Sequence, residues 1–122
     1  MNDYRTVTPY LVVDDATTEI AFLESAFGAS VTTASRDPQG RLMHAEIRIG
    51  DSLVMLGEAG GEVKALPAAI YLWVENVDET YGKALAAGAT SVRAPEDQPY
   101  GHRNAGVVDG NGISWWIGSP VK

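Results

Sequence analysis

Tyr71-Leu72-Trp73-Val74-Glu75-Asn76 repeats, in order and character, the earlier stretch Tyr10-Leu11-Val12-Val13-Asp14-Asp15. Each is an aromatic-led apolar run that ends in acidic or amide residues. Each is followed by a helical pattern that closes on a glycine between small or apolar neighbours, Phe27-Gly28-Ala29 in the first copy and Ala87-Gly88-Ala89 in the second. The copies are offset by about sixty residues. Solenoid units repeat at about 20–50 residues, so this period is too long for one. It reads instead as a duplicated half-domain, and two halves that pair leave a cleft between them.

Outward from these stretches the two copies keep the same order. In the first, Val7–Val13 is a β-rich run, and Asp15 is placed to cap a helix by accepting the free N–H groups of its first turn. Ile20, Leu23 and Phe27 recur at helical spacing, and Gly28 can end the helix in a left-handed conformation. Strands are predicted at Ser30–Ser35, Leu42–Ile49 and Leu53–Leu56, separated by turns at Asp37-Pro38-Gln39-Gly40 and Gly50-Asp51-Ser52. In the second, Ala69–Val74 is a strand and Asn76-Val77-Asp78-Glu79 has the form of a capping box. Val77, Tyr81, Ala84 and Leu85 form a helical stripe closed by Gly88. Strands are predicted at Ser91–Ala94, Ala105–Val108 and Ile113–Ile117, the last two joined by the turn Asp109-Gly110-Asn111-Gly112. The expected chain is therefore a single α+β domain over residues 1–122. Module 1 spans about 4–58, a flexible joint around Gly60-Gly61 spans about 59–66, and module 2 spans about 67–119. Each module reads β-α-β-β-β. The helices cover one face of the strands, and the other faces curl as a mixed sheet around a cleft.

Composition narrows the partners. With 45% apolar and 20% charged residues the chain can bury an ordinary globular core. A net charge of −7 without a basic cluster argues against nucleic acid and fits a cationic ligand. No apolar run nears the roughly 18 residues that a membrane span needs. Met1-Asn2-Asp3-Tyr4-Arg5 lacks a secretory signal pattern. The absence of cysteine excludes disulfides and thiolate chemistry and fits a cytoplasmic protein.

Several stretches carry a resemblance. They are Pro9–Asp15, Ala26-Phe27-Gly28-Ala29, Met43–Ser52, Asp97-Gln98-Pro99-Tyr100-Gly101-His102-Arg103 and Asp109–Ile117. Together they resemble the vicinal oxygen chelate superfamily, the fold of glyoxalase I, bleomycin-resistance proteins and extradiol dioxygenases. The PhnB-like and bleomycin-resistance-like small proteins are the most similar group. The resemblance implies a homodimer, in which halves can be swapped between chains. It also implies that metal-dependent members set His, Gln or Glu at one position in each of four strands. Counted from the acidic strand ends, those positions fall on Thr8, on Ala69, on Trp116 and near His44 or Glu46. Ala69 and Trp116 cannot ligate, and one good ligand does not hold a catalytic ion. No metal or other cofactor is expected.

Alternation then describes the cleft, because side chains two apart share a strand face. Tyr10, Tyr71, Trp73 and Trp116 form its aromatic part, and His44, Glu46 and Arg48 form a polar stripe opposite Met43, Ala45, Ile47 and Ile49. His102 and Arg103, in the loop after Tyr100-Gly101, border its mouth. Trp115 reads as plain core, and Asp14, Asp15, Asp78 and Glu79 read as helix caps. Aromatic walls with a few polar groups suit a small flat molecule. The expected function is metal-independent binding or sequestration of an aromatic or cationic small molecule, of the antibiotic-resistance type. Three alternatives stay open. They are a metal-dependent glyoxalase-like lyase, isomerase or dioxygenase, a metal-free enzyme with His44 or Glu46 as general base, and an assembly module whose aromatics only pack.

Overall fold

The computed structural model describes residues 4–121. The first module comprises β1 (Tyr10–Val13), α1 (Ala16–Phe27), β2 (Ser30–Arg36), β3 (Leu42–Ile49) and β4 (Ser52–Glu58). The second comprises β5 (Ala68–Trp73), α2 (Val77–Ala86), β6 (Thr90–Asp97), β7 (His102–Val108) and β8 (Ile113–Pro120). Their strands form two four-stranded mixed sheets, ordered β1-β4-β3-β2 and β5-β8-β7-β6. In each, the first strand runs parallel to the last and the remaining pairs are antiparallel. The βαβββ duplication is thus realised strand for strand.

Local chemistry sets the helix ends. Asp15 Oδ1 accepts from Thr18 N at 3.1 Å, and Glu58 Oε2 accepts from Ala16 N at 2.9 Å, so two orphan N–H groups of α1 find carboxylates. Gly28 takes φ +67° and returns its N–H to Glu24 O, which ends the helix. In α2 the Asn76 side chain accepts from Glu79 N at 3.1 Å, while Glu79 also pairs with Lys83 one turn on. Three expectations shift. The first strand is shorter than Val7–Val13, and β6 and β8 run further than predicted. Met43 does not share the buried face of β3. A break in the β2–β3 register pairs Arg36 with Leu42, so Leu42 is buried and Met43 is half exposed. Gly60 and Val63 exchange two backbone hydrogen bonds of 2.8 and 3.0 Å, and Arg41 packs on Gly60 and donates to Glu58 O.

Both helices lie on the inner side of their sheets and pack against each other. One buried cluster joins the modules there. It takes Leu11, Val13, Ile47 and Leu56 from the first sheet, Val107, Ile113, Trp115 and Ile117 from the second, and Leu23 and Ala84 from the helices. Trp115 is fully buried and reaches across the module boundary, its ring 5.0 Å from that of Phe27 in α1. Its indole N–H donates to Asp109 Oδ2 at 2.9 Å. The Asp109–Gly112 turn is a second tie between modules. Asn111 Nδ2 donates to Asp15 O and to Glu19 Oε1, each at 3.0 Å, and Asn111 Oδ1 accepts from Asp15 N at 3.1 Å. Glu19, 1% exposed, is held with its pKa pushed up to about 8, by burial first and by the neighbouring Asp109 carboxylate second.

This packing leaves the opposite face of each sheet open. Large apolar side chains stand exposed there, among them Tyr10, Tyr71 and Trp73.

Candidate functional site

The two modules superpose in register, which locates equivalent positions. Tyr10 lies opposite Met55 in the first sheet and Tyr71 opposite Trp116 in the second. Ala45 opposes Leu56 as Ala105 opposes Ile117. The first-module counterpart of Trp116 is therefore Met55 in β4, where the sequence count had settled near His44 or Glu46 in β3. The four corresponding positions become Thr8, Met55, Ala69 and Trp116. None is a His, Asp, Glu or Gln, and Thr8 Oγ1 already donates to Arg5 O. Among the described residues no three His, Asp or Glu side chains stand together in a way that could hold an ion. These residues do not fit the divalent centre of the family's metal enzymes.

The open face of the second sheet is a continuous aromatic and polar surface. Tyr71 and Trp73 project from β5 with ring centroids 4.8 Å apart, and His102 of β7 packs edge-on against Trp73 at 4.7 Å. Tyr100 closes on the other side of His102 at 5.2 Å. Trp116 is seated on β8 beside Gly106 of β7, with the Arg93 guanidinium 5.0 Å above its ring. The Tyr71 and Trp116 rings lie low on the sheet because glycines sit beneath them. A methyl group at Gly118 would overlap the Tyr71 ring, and one at Gly106 would come 2.5–2.9 Å from three Trp116 carbons. Gly106→Ala is accordingly expected to lift Trp116, at a cost of roughly 1–3 kcal/mol for overpacking. The variant's tryptophan emission should shift and its chemical melting midpoint should fall; an unchanged spectrum would show that the ring is not seated there.

A hydrogen-bond chain runs under this surface. Asn104, 1% exposed, donates from Nδ2 to the hydroxyls of Tyr71 at 3.3 Å and Tyr100 at 3.0 Å, and accepts at Oδ1 from Arg93 Nη2 at 3.3 Å. The Tyr71 hydroxyl also meets His102 Nδ1 at 3.2 Å.

The open face of the first sheet carries Tyr10, His44, Glu46 and Arg48. Tyr10 lies over Gly57 as Tyr71 lies over Gly118. His44, Glu46 and Arg48 are half-buried on β3. Glu46 Oε1 accepts from Thr32 and Thr33 hydroxyls, both at 3.3 Å. Burial and the nearby Glu46 carboxylate push the Tyr4 hydroxyl up to about 12.

Of the nine residues singled out from sequence, Tyr71, Trp73, His102 and Trp116 are brought together on one face, and Tyr10, His44, Glu46 and Arg48 on the other. Arg103 belongs to neither. His102 and Arg103 stand in β7, not in a loop, so alternation sends them to opposite sides. Arg103 is clamped by Asp78 at 2.8 and 2.9 Å and by Asp97 at 3.1 Å, which ties β7 to the start of α2. That guanidinium holds the Asp78 carboxyl below the usual carboxylate range. Three residues of the face, Arg93, Asn104 and Tyr100, were not anticipated. Asn104 and Gly106, two apart in a strand with a tryptophan opposite, carried a signal. Arg93 did not, since register breaks in the β6–β7 ladder separate it from a simple count.

Comparison with known proteins agrees with this architecture. Residues 5–117 match the Glyoxalase/Bleomycin resistance protein/Dioxygenase superfamily, and the chain belongs to that superfamily. An uncharacterized protein of Mycobacterium bovis is 39% identical over 127 residues, covering 95% of this chain and 84% of the relative. An uncharacterized protein of Mycobacterium tuberculosis is also 39% identical, covering 95% and 75%. Among solved structures, TioX from Micromonospora sp. ML1 superposes with a TM-score of 0.81 at 24% identity, covering 96% of this chain and 99% of that one. A PhnB protein from Bacillus cereus, a putative 3-demethylubiquinone-9 3-methyltransferase, gives a TM-score of 0.73 at 16% identity, covering 94% and 99%. At these identities the structural likeness speaks for the fold. No helix among the described residues is long and apolar enough to cross a membrane.

Proposed function

We propose that this protein binds a flat, aromatic small molecule without a metal ion, as a sequestering protein of the kind that bleomycin-resistance members of the superfamily represent. The observation that carries the reading is the surface built from Tyr71, Trp73, His102 and Trp116, with Tyr71 set low over Gly118 and Trp116 over Gly106. Stacking on such a surface is sequence-independent chemistry that suits planar ligands, and the polar groups beside it fix orientation. The missing donors at Thr8, Met55, Ala69 and Trp116 support binding over metal catalysis.

The binding cup is completed in a homodimer, with the open face of the first sheet of one copy set against the open face of the second sheet of its partner. Three features support this. Within one chain the modules pack through their helix-covered sides, so neither open face is covered. Tyr10 and Trp73 remain 52% and 56% exposed, more than isolated surface aromatics need be. β5 is an edge strand, and a surface groove of about 570 Å³ runs beside it. In the dimer, His44, Glu46 and Arg48 of one copy would face the aromatic surface of the other.

The test is a tryptophan-fluorescence titration with planar natural products, alongside the oligomeric state from light scattering. Trp73→Ala and Trp116→Ala are each expected to weaken binding about 10-fold or more, the loss expected when a stacking aromatic is truncated. Affinity unchanged in both variants would remove the aromatic surface from the function.

A further inference from the structure

The hydrogen-bond chain under the second sheet has a fixed direction, and that direction selects the ligand. Arg93 can only donate, so the Asn104 atom facing it at 3.3 Å must be the amide oxygen. The amide nitrogen therefore faces the tyrosines and donates one hydrogen to each hydroxyl. The Tyr71 hydroxyl also meets His102 Nδ1 at 3.2 Å, and where it donates to Nδ1 the neutral ring carries its proton on Nε2. The Tyr100 oxygen, also an acceptor from Asn104, has its own hydrogen free for the surface. Arg93 and the Tyr100 hydroxyl are thus donors on one face, and His102 Nε2 joins them in that tautomer.

Charge points the same way. The Arg93 guanidinium has no carboxylate partner among the described residues, and its Nε is buried without a hydrogen-bond partner. Its Nη2 makes one long bond to a neutral amide, and its plane rests over Trp116. Glu96, across from Asn104 in the β6–β7 register, shares the open face but makes no ion pair with it. Half-burying a cation without a counter-charge is unfavourable, and an anion supplied by a ligand offsets that cost. The chain's net charge of −7 suggested a cationic ligand; the local arrangement is the reverse.

We infer that the ligand is a planar aromatic acid, its ring system lying on Tyr71, Trp73 and Trp116 and its carboxylate received by Arg93 with the Tyr100 hydroxyl and His102 Nε2 as further donors. This rests on the binding role proposed for the same face, and adds the ligand's class and its specificity-determining residue, Arg93.

Three probes of one shape separate the two statements: 2-naphthoate, 2-naphthamide and 2-naphthylmethylammonium, titrated into the full-length protein at pH 7 by tryptophan fluorescence. The naphthoate is expected to bind about 10-fold or more tightly than the amide, and the ammonium least well, as a charge-assisted contact requires. Arg93→Met should erase the preference for acid over amide, read as the ratio of the two dissociation constants. Arg93→Lys, which keeps the charge and loses the planar fork, should retain part of the preference. Equal affinity for acid and amide in the unaltered protein, a preference for the ammonium, or a preference for acid that survives Arg93→Met would each overturn the inference while leaving the aromatic surface in place. Binding of none of the three would remove the binding role itself, and the inference with it.

Discussion

Trp115→Ala should be the most damaging single substitution in this chain. The side chain is fully buried and packs on Phe27 across the module boundary, so its removal leaves a cavity where two half-domains meet. Large-to-small changes of this kind cost about 3–5 kcal/mol. The loss is compounded at Asp109, whose Oδ2 accepts the indole N–H at 2.9 Å and would be left buried beside Glu19. A buried acceptor without its donor adds roughly 1–3 kcal/mol. Against a net stability of about 5–15 kcal/mol, the variant should melt at least roughly 10 °C lower or fail to fold. Trp115→Phe keeps part of the packing and loses the N–H together with the five-membered ring, so it should lose less stability than Trp115→Ala. Thermal denaturation followed by circular dichroism reads both, and a melting point for Trp115→Ala within about 3 °C of the original would contradict the placement of this residue between the modules.

Stability should also fall as pH rises above neutrality, because of Glu19. Its folded pKa is raised from 4.5 to about 8 by burial and by Asp109. A group raised in this way binds its proton more tightly in the folded chain. Its contribution is fully present below the unfolded value and is lost as pH climbs through about 8. Between pH 6 and pH 9 the chain should lose roughly 2–4 kcal/mol through this one site. Glu19→Gln keeps the acceptor that Asn111 reaches and supplies an N–H toward Asp109 in place of the acid proton. It should therefore flatten the alkaline limb of the melting-point profile and be the more stable form at pH 9. Parallel profiles for the two proteins between pH 6 and pH 9 would show that Glu19 is not the group responsible.

Much of this architecture could be read from the chain before any coordinates. The twofold block, the caps at Asp15 and Asn76 and the left-handed Gly28 follow from short-range rules of spacing and backbone freedom, and the opposite placement of Trp115 and Trp116 follows from alternation once the family resemblance sets Trp116 toward the cleft. What escaped was long-range or register-dependent. Met43 and Leu42 exchange roles because the ladder slips beside Arg36, a feature no alternation rule contains. His102 and Arg103 were grouped as loop neighbours, yet two consecutive residues on a strand face opposite ways, so one joins the aromatic surface and the other clamps α2. Asp109 and Asn111 read as turn residues, and they are, but the Asp109 side chain also holds Trp115, and Asn111 reaches Asp15 and Glu19 from more than ninety residues away. Arg93 was hidden behind register breaks in the β6–β7 ladder, and with it the local positive charge that the overall acidity of the chain conceals.

The proposed metal-independent role rests on the four strand positions where the superfamily's metal enzymes would place donors. Thr8, Met55, Ala69 and Trp116 leave no ligand set, while Gly106 and Gly118 make room for rings on the face where an ion would otherwise be held. The most direct measurement of that role is the affinity of the purified protein for 2-naphthoate before and after exhaustive treatment with a chelator, with divalent metal content determined on the same sample. The expected result is saturable binding with the same dissociation constant in both states and less than one tenth of an equivalent of bound divalent ion. Stoichiometric metal, with binding that disappears on chelation and returns when the ion is restored, would contradict it.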